Sequence, residues 1–410
     1  MEDQVVSGIS ARLPVQGGVI RIESIDILRA STMVLMIFVN DLGSLRNIPD
    51  WLEHVKPGVD GIGLADTVFP AFLFIVGMSL PYAIDNRRTK GDSQVKLIRH
   101  VISRTIALLV MGVFLVNGET ISKSACGLDY ITWSALSCLA FILIWNVYSK
   151  SADKIRVLLF KSAGVLILLF MAYIYRGFED GKVLRFGPQW WGILGLIGWS
   201  YLVTGIITVL AKNRFLVIAG SWVFFALLSI LYALHITGHD SFTHFIPEPI
   251  MGGTLVALSL GGVMLALSFK HFTVLKQHSR MIFLFVIAAV ILLFLGWFTH
   301  KYFIIAKLGA TPPWLFICSA LTLIAFLIIH WVADIKNKAG WFRFIKSAGT
   351  DTLLCYLIPY FLIFLMHTTH FKFPEPILVS TIGLVKSLCF ALLCVGITYG
   401  LNKSGIKLKL

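Results

Sequence analysis

Residues 64–84 read LADTVFPAFLFIVGMSLPYAI. After Asp66 the run carries no charged residue. It is long enough to cross the ~30 Å hydrocarbon layer of a bilayer as a helix. A helix is favoured because every backbone N–H and C=O group in that layer needs a partner within its own segment. This stretch therefore predicts a membrane-spanning helix.

Eleven further apolar runs of similar length predict the same structure, so the fold class is an all-α polytopic membrane protein with about twelve transmembrane helices. We divide the chain into an N-terminal segment (1–24), one transmembrane domain (25–401) and a basic tail (402–410). The twelve predicted spans are 25–42, 64–84, 99–117, 129–148, 156–175, 190–210, 215–235, 250–269, 281–299, 313–334, 349–369 and 377–401.

The composition supports this interpretation. Of the 410 residues, 57% are hydrophobic and 14% are charged, whereas soluble domains carry about a quarter charged residues. The mean hydropathy is +0.85. These values exclude an ordinary soluble enzyme, a disordered protein and a nucleic-acid reader. The net charge of +14 is explained by basic residues in cytoplasmic loops.

The basic residues also predict the orientation. With a cytoplasmic N-terminus, the inner segments hold 22 Lys and Arg residues and the outer segments hold 9. Both termini are therefore expected in the cytoplasm. The longer outer loops are then 43–63, 176–189, 236–249 and 300–312. Residues 1–24 contain no apolar core of signal-peptide length, so the first span is expected to remain as an anchor.

The cysteines and histidines predict no metal site. The six cysteines, at 126, 138, 318, 355, 389 and 394, form neither CxxC nor Cys/His ligand spacing. The histidines at 235, 239, 244 and 300 are scattered and are expected at the surface.

Charged groups within spans are costly and usually face a bundle interior. Asp26 and Arg29 are three residues apart and can pair on one helix face. Arg104 and Lys161 can extend their charges to the inner surface. Asp334, Asp351 and Lys386 are also within or near spans, and Lys386 requires a partner, a wet cavity or a neutral state. The pairs Trp190-Trp191 and Trp297-Phe298 favour an interfacial belt.

Three polar residues flank the first outer loop. Asn40 lies at the outer end of the first span, His54 lies in the loop, and Asp66 begins the second span. Taken alone, Asp66 is explained equally well by a functional role and by a structural one, in which its charge in the first turn favours the helix dipole. A histidine in a loop, such as His54, is commonly only exposed to solvent. Asp66 can also fold back to orient His54, a pairing that spacing permits without requiring it.

Several stretches together resemble the heparan-α-glucosaminide N-acetyltransferase family, in its bacterial form without a large lumenal domain. They match in order along nearly the whole chain, and the stretch 63–77 is the most specific of them. They are SIDILR (24–29), Asn40, His54, GLADTVFPAFLFIVG (63–77), WWGILGLIGW (190–199), ATPPW (310–314), Asp334, GTDTL (349–353) and Tyr356. Where the family commonly has Trp-Asn-Gly before the stretch that corresponds to residues 63–77, this chain has Val59-Asp60-Gly61.

The resemblance implies an enzyme that takes acetyl from cytoplasmic acetyl-CoA and transfers it to the amino group of a glucosamine-type sugar outside. His54 matches the family's active histidine, which would act as general base or transient acetyl carrier. Asp66 would orient it and Asn40 would stabilise the oxyanion. Further candidates for binding substrate or CoA are Asp26, Arg29, Arg104, Lys161, Trp190, Trp191, Thr311 and Trp314.

Two alternatives remain open at this point. A proton-coupled secondary transporter would also use twelve spans with buried charges, and an O-acetyltransferase for an envelope polysaccharide would keep the mechanism but change the acceptor. The expected setting is a bacterial inner membrane with the His54 loop outside. The expected partners are acetyl-CoA, an amino-sugar or glycan acceptor and the lipid bilayer; a homodimer is left open, and no nucleic acid or metal is expected.

Overall fold

The computed structural model describes residues 15–16, 19–20, 22–149, 151–179, 182–236 and 246–410. Most of the predicted segment 1–24 lies outside them. The chain is an all-α polytopic membrane protein, as predicted. Its helices are α1 (Glu23–Asp41), α2 (Leu64–Thr89), α3 (Gln94–Glu119), α4 (Lys123–Cys126), α5 (Tyr130–Trp145), α6 (Lys154–Ile174), α7 (Ile193–Ala211), α8 (Phe215–Ala233), α9 (Glu248–Met251), α10 (Thr254–Val274), α11 (His278–His300), α12 (Pro312–His330), α13 (Lys346–Thr350), α14 (Thr352–Thr368) and α15 (Ser380–Lys403).

Short elements join these helices. Two antiparallel pairs of strands are present, β1 (Val15–Gln16) with β2 (Val19–Ile20) and β3 (Gly177–Glu179) with β4 (Lys182–Leu184). A π-helical turn, Trp331–Ile335, extends α12. The 3₁₀ turns are Leu42–Ser44, Asp50–Leu52, Ala339–Ile345 and Glu375–Leu378.

A helix coincides with each of the twelve predicted spans. Within the described ranges, nine helices are long and apolar enough to cross a membrane, and α13 with α14 form a bent pair at 79°. Of the other two, α1 carries four charged residues and α5 has only 16 residues. The count of twelve spans and the cytoplasmic position of both termini stay predictions.

Helices α2 and α10 pack backbone against backbone in the middle of the bundle. A Cβ atom added at Gly77 would lie 1.8 Å from the carbonyl oxygen of Ser259, and one added at Gly262 would lie 1.8 Å from that of Phe74. Small residues permit such approaches between membrane helices. In α10, about two thirds of the apolar 18-residue stretch is buried inside the protein. In α6, α8 and α11, only 17–22% of the corresponding stretch is buried. The latter three helices therefore present their apolar surface outward, as lipid contact requires.

The break between α13 and α14 anchors the end of the chain. Asp351 accepts a hydrogen bond from the backbone N–H of Leu354 through one oxygen and from that of Leu408 through the other, at 3.4 and 3.1 Å. The backbone N–H of Val147 donates to the carbonyl oxygen of Lys407 at 2.8 Å. Residues 406–408 therefore run against the bundle.

Candidate active site

His54 and Asp66 form a hydrogen-bonded pair where α2 begins. Nδ1 of His54 lies 2.7 Å from Oδ1 of Asp66. The Asp66 side chain is 3% exposed and the His54 side chain is 47% exposed. Because an ionised carboxylate only accepts, Nδ1 carries a proton, and in the neutral ring the lone pair is then on Nε2. This is how a carboxylate orients a histidine base or nucleophile.

The second oxygen of Asp66 shapes the loop that carries His54. Oδ2 accepts hydrogen bonds from the backbone N–H groups of Val55 and Gly63, at 3.0 and 3.2 Å. Gly63 precedes the first residue of α2, and a Cβ atom there would lie 1.9 Å from the carbonyl oxygen of Glu53. Only glycine fits this approach. Asp66 therefore supports the start of the helix and contacts His54 at the same time, so the two interpretations offered by the sequence are compatible.

The start of α12 supports the pair from another side. The indole Nε1 of the buried Trp314 donates to the carbonyl oxygen of Asp66 at 3.1 Å. The hydroxyl oxygen of Thr311 accepts from the backbone N–H of Ala306 at 3.0 Å and closes a turn in the preceding loop. These two candidate binding residues thus contact the framework of the site.

Sequence reasoning missed Lys307 as a site residue, because the outer-loop cations were counted only for orientation. Its Nζ lies 3.3 Å from Nδ1 and 3.5 Å from Nε2 of His54. The available signal was its position three residues before the family-like block ATPPW (310–314). Burial lowers the pKa of the Lys307 ammonium, and the nearby Asp66 carboxylate opposes that shift.

Asp60 links the loop that contains His54 (43–63) to the loop that contains Lys307 (300–312). Its Oδ2 lies 2.8 Å from Nε2 of His300, and its Oδ1 accepts from the backbone N–H of Ile305 at 2.8 Å. The backbone N–H of Gly61 donates to the carbonyl oxygen of Ile305 at 3.1 Å. The hydrogen bond with His300 is the main reason that the pKa of Asp60 is lowered.

Asn40 is exposed and makes no hydrogen bond to His54 or Asp66. Its helical spacing from Arg29, Met33 and Met36 puts it on the face of α1 that lines a cavity, one turn beyond Met36. The structure therefore brings two of the three predicted catalytic residues together and leaves Asn40 on a neighbouring surface.

That cavity has a volume of about 370 Å³ and lies among α1, α2, α3, α7, α13, α14 and residues 408–410. Along α1 it extends from Arg29 to Met36, a rise of roughly 10 Å. Along α2 it ends at Phe72, six residues or about 9 Å from Asp66. His54 is not among its lining residues. Its polar lining includes Arg29, Ser79, Arg104, Tyr201, Thr350, Asp351, Tyr356 and Lys409.

Two arginines give the cavity a basic wall. Arg29 donates to Ser79 Oγ at 2.6 Å and to the carbonyl oxygen of Gly349 at 3.2 Å. The Arg104 guanidinium lies 4.8 Å from the centroid of the Tyr201 ring, and its buried Nε has no hydrogen-bond partner among the described residues. A buried donor without a partner is costly, and a ligand oxygen would satisfy it.

The remaining candidate binding residues are not among those that line the cavity. Asp26 pairs with Arg29 at 3.2 Å, as the spacing predicted. Trp190 packs edge-on against Trp199, and Trp191 is exposed. Lys161 is exposed on α6.

Other ionisable residues near spans have partners. Lys386 contacts Asp41 at 2.8 Å, which supplies the partner that its depth requires. Asp334 pairs with the buried His330 at 2.6 Å. Within the described part of the chain, no group of three or more His, Cys, Asp or Glu side chains is arranged to hold a metal ion. Asp180, His239, Asp240 and His244, which the sequence assigned to outer loops, lie outside the described residues.

The profile of a family described as "Domain of unknown function (DUF5009)" matches residues 21–245, more than half of the chain. The chain belongs to the DUF5009 family. The matched region includes His54, Asp66 and most of the cavity-lining residues, whereas Lys307 lies beyond it.

Two curated proteins are similar to this DUF5009 member over a limited segment. The mouse heparan-alpha-glucosaminide N-acetyltransferase is 32% identical over 97 residues, which cover 24% of this chain and 14% of the mouse protein. The human protein of the same name is 32% identical over 98 residues, with the same two shares. The match supports a distant relationship to an N-acetyltransferase and, at a coarse level, a transferase role.

Proposed function

We propose that this protein is a transmembrane acetyltransferase that moves acetyl from acetyl-CoA to the amino group of a glucosamine-type sugar on the extracytoplasmic side. The observation that carries the proposal is the His54–Asp66 pair: a half-exposed imidazole held by a buried carboxylate 2.7 Å away. The distant relationship to the mouse and human N-acetyltransferases adds independent support.

The cavity supplies a binding region for acetyl-CoA. Arg104, Arg29 and Lys409 line it and offer cations for the phosphates, and the unpartnered Nε of Arg104 suits an anionic oxygen. The part of acetyl-CoA that carries the acetyl group would extend along the cavity-lining face of α1 toward Asn40. From the end of the cavity at Phe72, one to two turns of α2 would then remain to the level of Asp66. Neutral lining residues such as Met33, Met36 and Phe72 suit an uncharged arm.

His54 performs the proton transfer in this scheme. In direct transfer, the sugar amine attacks the thioester carbonyl carbon while Nε2 of His54 takes the amine proton. The C–S bond then breaks, and the CoA thiolate leaves and takes up that proton. In the two-step route, Nε2 itself attacks the thioester carbonyl carbon, and acetyl-imidazole forms as the C–S bond breaks and the thiolate departs. The amine then attacks the acetyl carbon, the C–Nε2 bond breaks, and the amine proton passes through Nε2 to the thiolate. Asp66 stabilises the positive charge on the ring in both routes.

The transporter alternative drew on twelve spans, Gly- or Pro-interrupted helices and buried charges at Asp26, Arg29, Asp334 and Lys386. Each of these charges lies in an ion pair or a hydrogen-bonded pair, an arrangement that does not favour a transporter over an enzyme. The O-acetyltransferase alternative shares the mechanism and differs only in the acceptor, so the same assay with hydroxyl acceptors distinguishes it.

The full chain, purified in detergent, is incubated with acetyl-CoA and glucosamine, and free CoA and acetyl-glucosamine are measured by mass spectrometry. We expect acetyl-glucosamine from the wild type and a loss of at least about 100-fold in His54→Ala. His370→Ala, which removes another exposed histidine, is the matched control and should retain wild-type rates. Undiminished transfer by His54→Ala would remove His54 from its role, and ion-gradient-driven uptake without an acetyl product would favour the transporter.

A further inference from the structure

Lys307 lies beside the imidazole of His54 without occupying the nitrogen that the reaction needs. Its Nζ is 3.3 Å from Nδ1 and 3.5 Å from Nε2. A donor in line with one lone pair would be markedly farther from the other nitrogen. The ammonium therefore lies alongside the ring, and the lone pair of Nε2 stays available for an incoming group.

The turn that carries Lys307 is held at several points. The backbone N–H of Ala310 donates to the Lys307 carbonyl oxygen at 3.0 Å, and the Thr254 hydroxyl donates to the Ala310 carbonyl oxygen at 2.5 Å. Thr311 closes the turn through the backbone N–H of Ala306. These contacts fix the backbone position from which the Lys307 side chain reaches His54.

The charges around Lys307 come from each neighbouring element. His54 belongs to the loop before α2, and Asp66 belongs to α2 itself; the Asp60–His300 pair joins the two loops nearby. Lys307 is half-buried, and partial removal from water strengthens its interaction with any negative charge that forms beside His54. The pair Asp66 and His54 thus provides a base, and Lys307 provides a cation next to it.

Resting on the proposed acetyl transfer, we propose that Lys307 is a catalytic residue whose ammonium donates a hydrogen bond to the thioester carbonyl oxygen as the tetrahedral intermediate forms. As the nucleophile bonds to the carbonyl carbon, the C=O π electrons move to oxygen and the ammonium stabilises that oxyanion. When the C–S bond breaks, the C=O bond re-forms and the thiolate carries away the electron pair. Lys307 neither gains nor loses a proton. Asn40, assigned this task from the sequence, makes no hydrogen bond to His54, whereas Nζ of Lys307 lies within 3.5 Å of both ring nitrogens.

The test compares Lys307→Met, which keeps the apolar stem, with Lys307→Arg, which keeps the charge. Lys301→Met is the matched control, because Lys301 lies in the same loop but over the ring of Trp297 at 3.9 Å. Steady-state kcat and KM for acetyl-CoA and for the sugar are measured in the purified full chain. Size-exclusion profiles and thermal unfolding identify any variant that fails to fold.

We expect Lys307→Met to lower kcat by about 100-fold or more, with both KM values changed by less than about threefold. Lys307→Arg should recover part of kcat. Because burial lowers the pKa of Lys307, the wild-type kcat should fall with rising pH before an ordinary lysine would deprotonate, and arginine should move that alkaline limb upward.

A kcat in Lys307→Met within threefold of the wild type would overturn the inference and leave the proposed function intact. A loss confined to the KM for the sugar would also overturn it, since the lysine would then bind the acceptor. A wild-type protein that transfers no acetyl group would overturn the proposed function and this inference together.

Discussion

Asp66 contacts His54 through one carboxylate oxygen and the loop backbone through the other, at 2.7 Å to Nδ1 of His54 and 3.0 Å to the backbone nitrogen of Val55. A single buried side chain therefore sets both the tautomer of the imidazole and the path of the loop that carries it. The neutral Nδ1–H tautomer and the position of Nε2 depend on the same group.

Asp66→Asn should lower kcat by about 10²- to 10⁴-fold, because an amide can turn its NH₂ toward Nδ1 and favour the wrong tautomer. Asp129→Asn is the matched control, since Asp129 also lies at the start of a helix, α5, and accepts from the backbone N–H of Thr132 at 2.8 Å. Both variants should lose comparable thermal stability, but only Asp66→Asn should lose acetyl transfer. Equal activity in the two variants would contradict the orienting role.

Gly63→Ala should disrupt the site without touching any polar group. The new methyl group would lie 1.9 Å from the Glu53 carbonyl oxygen, so the His54 loop must move. We expect a stability cost of about 1–3 kcal/mol and a clear loss of acetyl transfer. Gly43→Ala is the control, because nothing lies within 4 Å of its Cβ position, and it should behave as the wild type. Full activity in Gly63→Ala would argue against a rigid loop.

Asp60→Ala should release the Lys307 loop, because it removes the partners of His300 and of the Ile305 backbone N–H. Hydrogen exchange at peptides containing Ile305 should become faster, and acetyl transfer should fall. Asp50→Ala, which removes an exposed carboxylate from the same α1–α2 loop as Asp60, should change neither. Unchanged exchange in Asp60→Ala would show that the loop is held without this carboxylate.

The pH dependence of this loop follows from the lowered pKa of Asp60. Such a group stabilises the folded form above its unfolded pKa, about 3.9 for aspartate, and the contribution is lost as the pH falls through the lower folded value. Protection of the loop should therefore persist from neutral pH down to about pH 4 and decrease below it. Loss of protection already near pH 6 would mean that another group controls the loop.

Much of the fold was predictable because run length and charge alone identify apolar spans. Helix α1 follows from the apolar run that surrounds Asp26 and Arg29, and the i, i+3 spacing of those two residues predicted their pair. The contact at the bend was not predictable, because it is tertiary: the Asp351 carboxylate accepts a hydrogen bond from the distant backbone N–H of Leu408. The residues next to Asp351 in the sequence do not indicate that contact.

The site was predictable only in part for the same reason. His54 and Asp66 lie twelve residues apart, so a short loop can join them, and the spacing permitted their pairing. Lys307 reaches His54 from a segment more than 200 residues later, through a turn fixed by Thr254, Thr311 and Asp60. Nothing in the composition of the 300–312 loop distinguishes this lysine from Lys301.

The most direct test of acetyl movement through the bundle is a sided assay in proteoliposomes. The full chain is reconstituted into vesicles that enclose glucosamine, acetyl-CoA is added only outside, and acetyl-glucosamine is measured in the washed lumen. Acetyl-CoA is too highly charged to cross the bilayer unaided. The account predicts lumenal acetyl-glucosamine with the wild type and its loss with His54→Ala. Product that forms only when donor and acceptor share one side of the membrane would contradict it.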